Sequence, residues 1–510
     1  MSEFLAALDL VLRVDVIVTV VCAALFGLFI GAIPGLTATM ATALLVPVTF
    51  FMDAVTAIGA IVTATAMAIF AGDIPGALLR IPGTPASAAY TEEAYRMGSR
   101  GELGKALGVN LLCSALGGMV GVLILAFFAS KLARFSLQFS SYEYFWLAVV
   151  GLSSAVLVSR GNPVKGGVSL LLGLLLSTVG IDAVMGYPRF TFGSVGLSGG
   201  ISILPTLIGV FAIAELLRKM PEARNAPPPR PPAVGRLFAG VLPELWRYKL
   251  TAAASSVGGT LIGALPGAGA DIAAWISYAV SKRFSRTPEK FGTGHPEGIV
   301  AASSANNAAI SGAYVPALVF GIPGDTITAI IIGVLLMKGI TPGPMVFVTD
   351  SAMVNAIFMV FFFANVLLIP LGFLAIRGAR YLLRVPSGVL YPLILMFCIV
   401  GAYATNNATL DIWIMLAVGV LAYVMEENDF PVAPLILAVV LGPVVEENFM
   451  KSIIKADGEL LMFFERPMAA VLGGIAIAVW GGMSLRGLWR AVRGTGDAVP
   501  GPPASDDVSG

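Results

Sequence analysis

Apolar positions along this chain run together instead of alternating with polar ones. A membrane-crossing helix needs about 20 predominantly apolar residues. Stretches near 16–33, 54–71, 106–129, 143–159, 164–181, 200–217, 352–376, 386–403, 410–425, 432–445 and 467–484 approach that pattern. Four more apolar stretches, 31–50, 72–90, 258–280 and 298–345, are interrupted by Pro-Gly. Proline removes a backbone donor and glycine admits strained backbone, so each Pro-Gly predicts a break in a helix. Inside a bilayer, broken backbone survives only where it is buried in protein or lines a polar cavity. The pattern predicts an all-α polytopic membrane protein of roughly 10–12 transmembrane helices plus re-entrant or broken helices. Glu3, Asp9, Arg13 and Asp15 precede the first apolar run, where a cleaved signal would carry a positive segment, so that run is expected to be a retained span.

Composition narrows the class. Of 510 residues, 57% are hydrophobic and 12% charged, with a formal net charge of +1. A soluble domain is about 25% charged, so this chain lacks the polar residues to cover itself in water. Near-neutral charge gives no broad basic surface for nucleic acid. One histidine, His295, and no HExxH leave no basis for a histidine metal site. Cys22, Cys113 and Cys398 are far apart inside apolar runs and read as packing thiols. His295, the single histidine, sits beside the basic 282–290 segment and not at membrane depth, which argues against an enzyme, and no GxxxxGK[ST] phosphate loop occurs, which argues against nucleotide-driven work.

Two regions depart from the membrane pattern. Residues 218–249 hold six prolines between Pro221 and Pro232 and seven Lys/Arg, which predicts a semi-rigid, cytoplasmic linker. Residues 494–510 are small and polar and are expected to be disordered. The linker separates two repeats, 1–217 and 250–493. Gly27, Gly31, Pro34 and Gly35 recur as Gly259, Gly263, Pro266 and Gly267, an offset of 232. Pro75 and Ile81-Pro82-Gly83 recur as Pro316 and Ile322-Pro323-Gly324, an offset of 241. A lone GxxxG is a common packing face, but two motifs in the same order are not explained that way.

Charge orients the halves. Between the two motifs the first half has a short loop near Asp53 without Lys or Arg, where the second half carries Lys282, Arg283, Arg286 and Lys290. After the second motif the bias reverses: Arg96, Arg100 and Lys105 stand against Lys338 almost alone. If positive loops stay inside, corresponding loops lie on opposite sides, as in the inverted-topology repeats of secondary transporters.

In such carriers the substrate and coupling ions bind among half-helix ends near the midplane. The breaks here come with Thr37 and Thr39, Thr84 and Ser87, Ser303, Ser304, Asn306 and Asn307, and Thr326 and Thr328. These groups can bind a carboxylate or a dehydrated cation, although singly each also serves as glue between helices. Asp73, Arg80, Asp271 and Asp325 lie in or beside the broken segments, where a charge is costly. Asp271 and Asp325 are candidate sodium or proton sites. Arg80 could face a substrate carboxylate, pair with Asp73 or snorkel to the interface. Glu143, Asp182 and Asp411, at span ends, read as interfacial.

At these residues the chain resembles TctA, the large membrane subunit of the tripartite tricarboxylate transporter family. The resemblance is carried by Gly27–Phe50 (GLFIGAIPGLTATMATALLVPVTF), by 71–107 with IPGTPASAA at 81–89, by Gly263–Tyr278 (GALPGAGADIAAWISY), and by Phe291–Pro344 with FGTGHPEGIVA, ANNAA, GIPGD and TPGP. It implies a bacterial inner-membrane system in which this chain forms the translocation path for small di- or tricarboxylates. A TctC-like periplasmic solute-binding protein captures the substrate, and a TctB-like small subunit of about four spans accompanies this one. Uptake would be driven by a sodium or proton gradient with no other cofactor. A channel or carrier needing no binding protein is the rival reading. By position, the implied binding residues are Gly35, Thr37, Thr39, Pro82, Gly83, Thr84, Ser87, Gly267, Asp271, Asn306, Asn307, Pro323, Gly324, Asp325 and Thr326, with Asp73, Arg80 and Ser303 beside them. Asp271, Asn306, Asn307 and Asp325 would hold a sodium ion. The chain departs from the family pattern at Asp73 in a usually Gly-rich stretch, at Arg80 where Asn is usual, at Glu93-Ala94 where Asp-Gly is usual, and at Ser303 where Glu is usual. These changes bear on the substrate and the coupling ion.

Overall fold

A run of apolar residues in lipid satisfies its backbone only by closing hydrogen bonds within the segment, and the apolar runs accordingly become helices. The computed structural model describes residues 2–33, 36–158, 163–182, 186–223, 236–266, 269–382 and 387–493. Among them, strand pairing is confined to one small antiparallel hairpin, Gly180 opposite Arg189 and Ile181 opposite Pro188. In the first half, α1 (Val14–Ala32), α2 (Ala38–Thr49), α3 (Ala54–Ala71), α4 (Asp73–Leu79), α5 (Thr91–Ser99) and α6 (Leu103–Ser136) lead toward the cavity and away again. In the second half the same course is taken by α7 (Lys249–Gly263), α8 (Gly269–Phe284), α9 (Pro296–Phe320), α10 (Thr326–Met337) and α11 (Ser351–Leu382).

Among the described residues, six helices are long and apolar enough to cross a membrane: Val14–Ala32, Ala54–Leu79, Leu103–Ser136, Ser351–Ala379, Thr409–Glu427 and Val432–Lys455. Ala38–Thr49, Pro163–Ser177 and Thr326–Met337 are shorter apolar helices of 12–15 residues, while Ser141–Val158, Ser387–Asn406 and Pro467–Arg493 run to 18, 20 and 27 residues. The expected span at 164–181 falls in the shorter class, as Pro163–Ser177, whereas that at 143–159 is the 18-residue helix Ser141–Val158. The half-helices α2 and α10 are short for the predicted reason, since each begins at a Pro-Gly break.

The repeat offsets reappear as packing. A Cβ on Gly27 or Gly31 of α1 would overlap the backbone of Ala64 or Ala68 on α3. In the second half, Gly259 and Gly263 of α7 meet Ala305 and Ala309 of α9 in the same way. The glycines differ by 232 in number and the alanines by 241, the two offsets of the sequence motifs. The difference of nine lies between them, where α8 runs longer than α2 and the 285–295 connection is longer than its 50–53 counterpart.

The two halves run in opposite directions. Arg96 and Met97, after the first-half break, lie against Gly294, before α9. Lys338, after α10, donates from Nζ to the Phe50 carbonyl at 2.7 Å, before α3. The basic 96–105 and 282–290 segments therefore share one end of the molecule, and the 50–53 loop meets residue 338 at the other. The halves also interlock: α6 lays Gly117 and Gly121 on Ser304 and Ala308 of α9, while α11 packs Val360 against Gly59 of α3.

The predicted linker is partly helical. The helix that ends the first half continues through Ala223, and residues Val241–Arg247 form a further helix with Val241 buried. The remainder of that linker, 224–235, and the 494–510 tail lie outside the described residues. Glu143 and Asp411 stand in the first turns of their helices, and both are buried. Glu143 pairs with Arg466 at 2.9 Å, and Asp411 accepts from Ser202 and Asn406, each at 2.8 Å. Asp182 lies 3.7 Å from Arg189 in the small hairpin.

Candidate translocation site

The starts at Thr37, Thr84 and Asp325 are built from a hydroxyl or carboxylate that turns back on its own backbone. Thr37 caps α2 by accepting from the Met40 N–H at 3.1 Å. Asp325 caps α10: its Oδ1 accepts from the Thr328 N–H at 2.8 Å, and the Thr328 hydroxyl accepts from the Asp325 N–H at 2.9 Å. The first half repeats this reciprocal box at the same offset of 241. The Ser87 N–H donates to Thr84 Oγ1 at 3.1 Å, and the Thr84 N–H donates to Ser87 Oγ at 3.0 Å. Residues of these types are favoured at N-caps because they satisfy donors that a helix start leaves open.

The interlocked halves bring these starts together. Thr39 and Thr326 place their hydroxyl oxygens 3.4 Å apart across the two halves. Trp275 of α8 donates from Nε1 to the Pro85 carbonyl at 3.1 Å. A Cβ on Gly269, where φ is +59°, would sit 3.2 Å from Asp325 Cβ. Between them lies a cavity of about 430 Å3, within the range that holds a small organic ligand. Thr37, Thr39, Thr84, Asp271, Asn306, Asp325 and Thr326 line it. Neither amide atom of Asn306, 1% exposed, has a hydrogen-bond partner within bonding distance. By the repeat offsets, Thr37 corresponds to Gly269, Thr39 to Asp271 and Thr84 to Asp325, so these walls are pseudo-symmetric, and among the matched positions only the second-half members Asp271 and Asp325 are carboxyls.

Sequence reasoning missed three lining residues, Glu215, Arg218 and Glu426. Arg218 pairs with Glu215 and lies 3.3 Å from Glu426. It reads as linker in sequence because prolines follow closely, yet the helix carries it to the cavity. A π-helical turn at Gly209–Ile213 in the same segment brings Val210 and Phe211 to the cavity as well. Such turns re-aim side chains and are frequent at functional sites.

Other candidate residues lie elsewhere. Arg80 does not pair with Asp73. It caps α4 in the left-handed conformation (φ +61°), at the place where Gly321 (φ +68°) caps α9. Its exposed guanidinium bonds Glu92 at 2.8 Å. Held by Arg96 and, against a small burial effect, also by Arg80, the Glu92 carboxyl titrates below the ordinary carboxylate range. Asp73 is buried and accepts from Asn110 Nδ2 at 2.9 Å. Gly83 allows its loop to touch the Gly72 backbone, Gly324 does the same against Ala313, and Ser303 donates to the Ile299 carbonyl at 2.6 Å. Pro82 is exposed and Pro323 buried. Asn307 is buried and points away from the cavity lining, so the proposed sodium set is divided: Asp271, Asn306 and Asp325 line one space without it. Gly35 and Gly267 lie outside the described residues. Among the described residues no cluster of three His, Cys, Asp or Glu could hold a metal ion.

Two interlocked, oppositely directed helical halves around a polar cavity at broken helix ends define a multi-pass membrane carrier of small solutes. The chain belongs to the Tripartite tricarboxylate transporter TctA family, whose model matches residues 17–437. It is thus a component of a tricarboxylate transporter, and its role is transport. It is 33% identical over 461 residues to an "Uncharacterized 52.8 kDa protein in TAR-I ttuC' 3'region" of Agrobacterium vitis, covering 89% of this chain and 90% of that one. It is 36% identical over 219 residues to an "Uncharacterized protein in TAR-II ttuC' 3'region" of the same organism, covering 43% of this chain and 90% of that one. No solved structure matches it.

Proposed function

We propose that this chain is the translocation subunit of a binding-protein-dependent secondary active transporter in a bacterial inner membrane. It would import small di- or tricarboxylates by alternating access, driven by a sodium or proton gradient. A TctC-like periplasmic binding protein would deliver the substrate, and a TctB-like four-span subunit would accompany the chain. The observation that carries this reading is the mixed character of the cavity. Helix starts of opposite halves present N–H groups and hydroxyls to it, which suit a carboxylate. Yet Asp271, Asp325, Glu215 and Glu426 line the same space, against Arg218 alone among the basic residues. An anion entering such a wall is repelled unless a cation enters with it. Coupling to a cation is thus supported by the same residues that receive the anion.

The test is uptake of radiolabelled citrate, and of a panel of dicarboxylates, into proteoliposomes holding this chain and its small partner. Binding protein is added or omitted, and sodium and proton gradients are imposed separately. Accumulation that needs the binding protein and one gradient is the expected result. Flux that needs neither would replace the transporter by a channel.

A further inference from the structure

One buried carboxyl close to the cavity has no part in its lining. Asp73 opens α4 and is 4% exposed. Its Oδ2 accepts from Asn110 of α6, whose own Oδ1 lies 3.4 Å from the Ser114 hydroxyl. Its Oδ1 has no hydrogen-bond partner. The Tyr90 hydroxyl, also buried and without a partner at bonding distance, interacts with both the Asp73 carboxyl and the Asn306 side chain. Asn306 in turn lines the cavity. A polar line therefore runs from the cavity through Asn306 and Tyr90 to Asp73, within otherwise apolar packing by Phe70, Ile74 and Leu107.

The groups around Asp73 leave its charge uncompensated. The elements packed on α4 are α1, α3, α5, α6 and the 87–89 turn. Of their titratable groups, Tyr90 faces Asp73, and Cys113 of α6 lies beside Tyr90. Glu92 is turned outward to Arg80 and Arg96, and Glu93 is taken up by backbone N–H groups of the 292–295 loop. Among the described residues no Lys, Arg or His pairs with Asp73. A carboxylate buried in this way costs several kcal/mol, whereas the carboxylic acid carries no charge to desolvate. At the equivalent place in the second half, 241 residues on, stands Tyr314. The feature is single, not duplicated.

We propose that Asp73 is a proton-carrying site of this transporter, loaded and unloaded from the cavity through Tyr90. On release, the Tyr90 hydroxyl passes its proton to a cavity water held at Asn306 and takes up the proton of the Asp73 acid. The products are one hydronium ion and the Asp73 carboxylate, and uptake reverses the step. The chain thereby couples to protons, and one proton is carried per chain at this site. The oxygens free to bind an ion here are Asp73 Oδ1 and the Tyr90 hydroxyl, with the Asn306 amide beyond, which is sparse for a dehydrated sodium ion. This inference rests on the carrier reading for its coupling role, but the protonation itself is testable without any substrate.

The experiment is infrared difference spectroscopy of the full chain in lipid, recorded between acidic and alkaline buffer. Wild type should show the carbonyl stretch of a buried carboxylic acid, shifted in deuterium oxide. The band should be lost in Asp73→Asn, kept in Asp325→Asn, and shifted in frequency by Tyr90→Phe, which also reports if Asp73→Asn does not fold. Identical wild-type and Asp73→Asn spectra would overturn the proposal. Loss of the wild-type band on adding sodium at constant pH, absent from Asp73→Asn, would reassign the site to sodium. If the band behaves as expected while no carboxylate is carried in the uptake assay, the carrier reading fails and the proton site stands.

Discussion

Glu93 Oε2 accepts the backbone N–H of His295 at 2.7 Å, joining α5 of the first half to the loop that precedes α9 in the second. The same carboxylate accepts from the Gly294 N–H at 2.6 Å, from the Gly292 N–H and from the Tyr278 hydroxyl at 2.8 Å. This one buried side chain explains the Gly-Thr-Gly-His run at 292–295. Gly292 (φ +85°) and Gly294 (φ +91°) take backbone conformations that let successive N–H groups turn toward one anion.

Glu93→Ala leaves the buried His295 N–H without an acceptor, at about 1–3 kcal/mol, and the three part-buried donors likewise at a smaller cost each. Thermal unfolding followed by size-exclusion monodispersity should show a large fall in midpoint. Glu92→Ala, which loses surface ion pairs worth about 0–1 kcal/mol, should barely move it. Equal effects would remove Glu93 as the clamp.

The glycine stripes give a paired prediction. Gly31→Ala and Gly263→Ala each force a Cβ into the backbone of the facing helix and should cost about 1–3 kcal/mol or more, as overpacking does. Gly258→Ala, where a Cβ meets nothing within 4 Å, should be neutral or slightly stabilising. Expression and melting of the three variants side by side decide the matter.

Asp325 combines a cap with a charge, and Asn separates them. Asparagine caps a helix about as well as aspartate, so Asp325→Asn should insert and melt like wild type while losing coupled uptake. Asp325→Ala should additionally lose about 0.5–2 kcal/mol of stability. Wild-type uptake by Asp325→Asn would take Asp325 out of coupling.

Arg80→Gly should leave uptake and stability essentially unchanged. The glycine adopts the left-handed cap without strain, as Gly321 does, and only an exposed ion pair is lost. Arg80→Val, with a branched Cβ at φ +61°, should lower the melting midpoint. A complete loss of uptake in Arg80→Gly would show that the guanidinium meets the substrate after all.

Membrane sidedness follows from the interlocked loops. Single cysteines at Arg100 and Lys290, in a chain whose own cysteines are replaced, should react with an impermeant thiol reagent from one side. Cysteines at Asp53 and Lys338 should react from the other. Labelling of Asp53 and Arg100 from the same side would refute the opposed halves.

Sequence by itself determined the class, the helices and the repeat. Burial in lipid leaves the backbone no partner but itself, so long apolar runs had to be helical. Pro82-Gly83 and Pro323-Gly324 stand at helix breaks as expected, whereas Pro75-Gly76 is taken into the first turns of α4 without breaking it. The offsets of 232 and 241 between motifs survive as the spacing of Gly31 on Ala68 and Gly263 on Ala309, because close helix approach tolerates no Cβ at those two glycines. Thr37, Thr84 and Asp325 stood out in sequence as polar groups at the breaks, and the structure shows them capping helix starts, local chemistry within three residues. What only the tertiary structure decided is which of these ends meet. Thr39 comes to Thr326, and Trp275 to Pro85, because α6 and α11 each pack on the central helix of the opposite half. Arg218 reaches the cavity through one more helical turn than its prolines suggest, and Arg80 turns outward because its backbone is a left-handed cap. Asn307 turns away from the cavity that Asn306, its neighbour in sequence, helps to line, since successive residues on a helix point about 100° apart. Local rules act over three or four residues and leave their mark on the sequence, whereas the meeting of groups hundreds of residues apart depends on how whole helices pack.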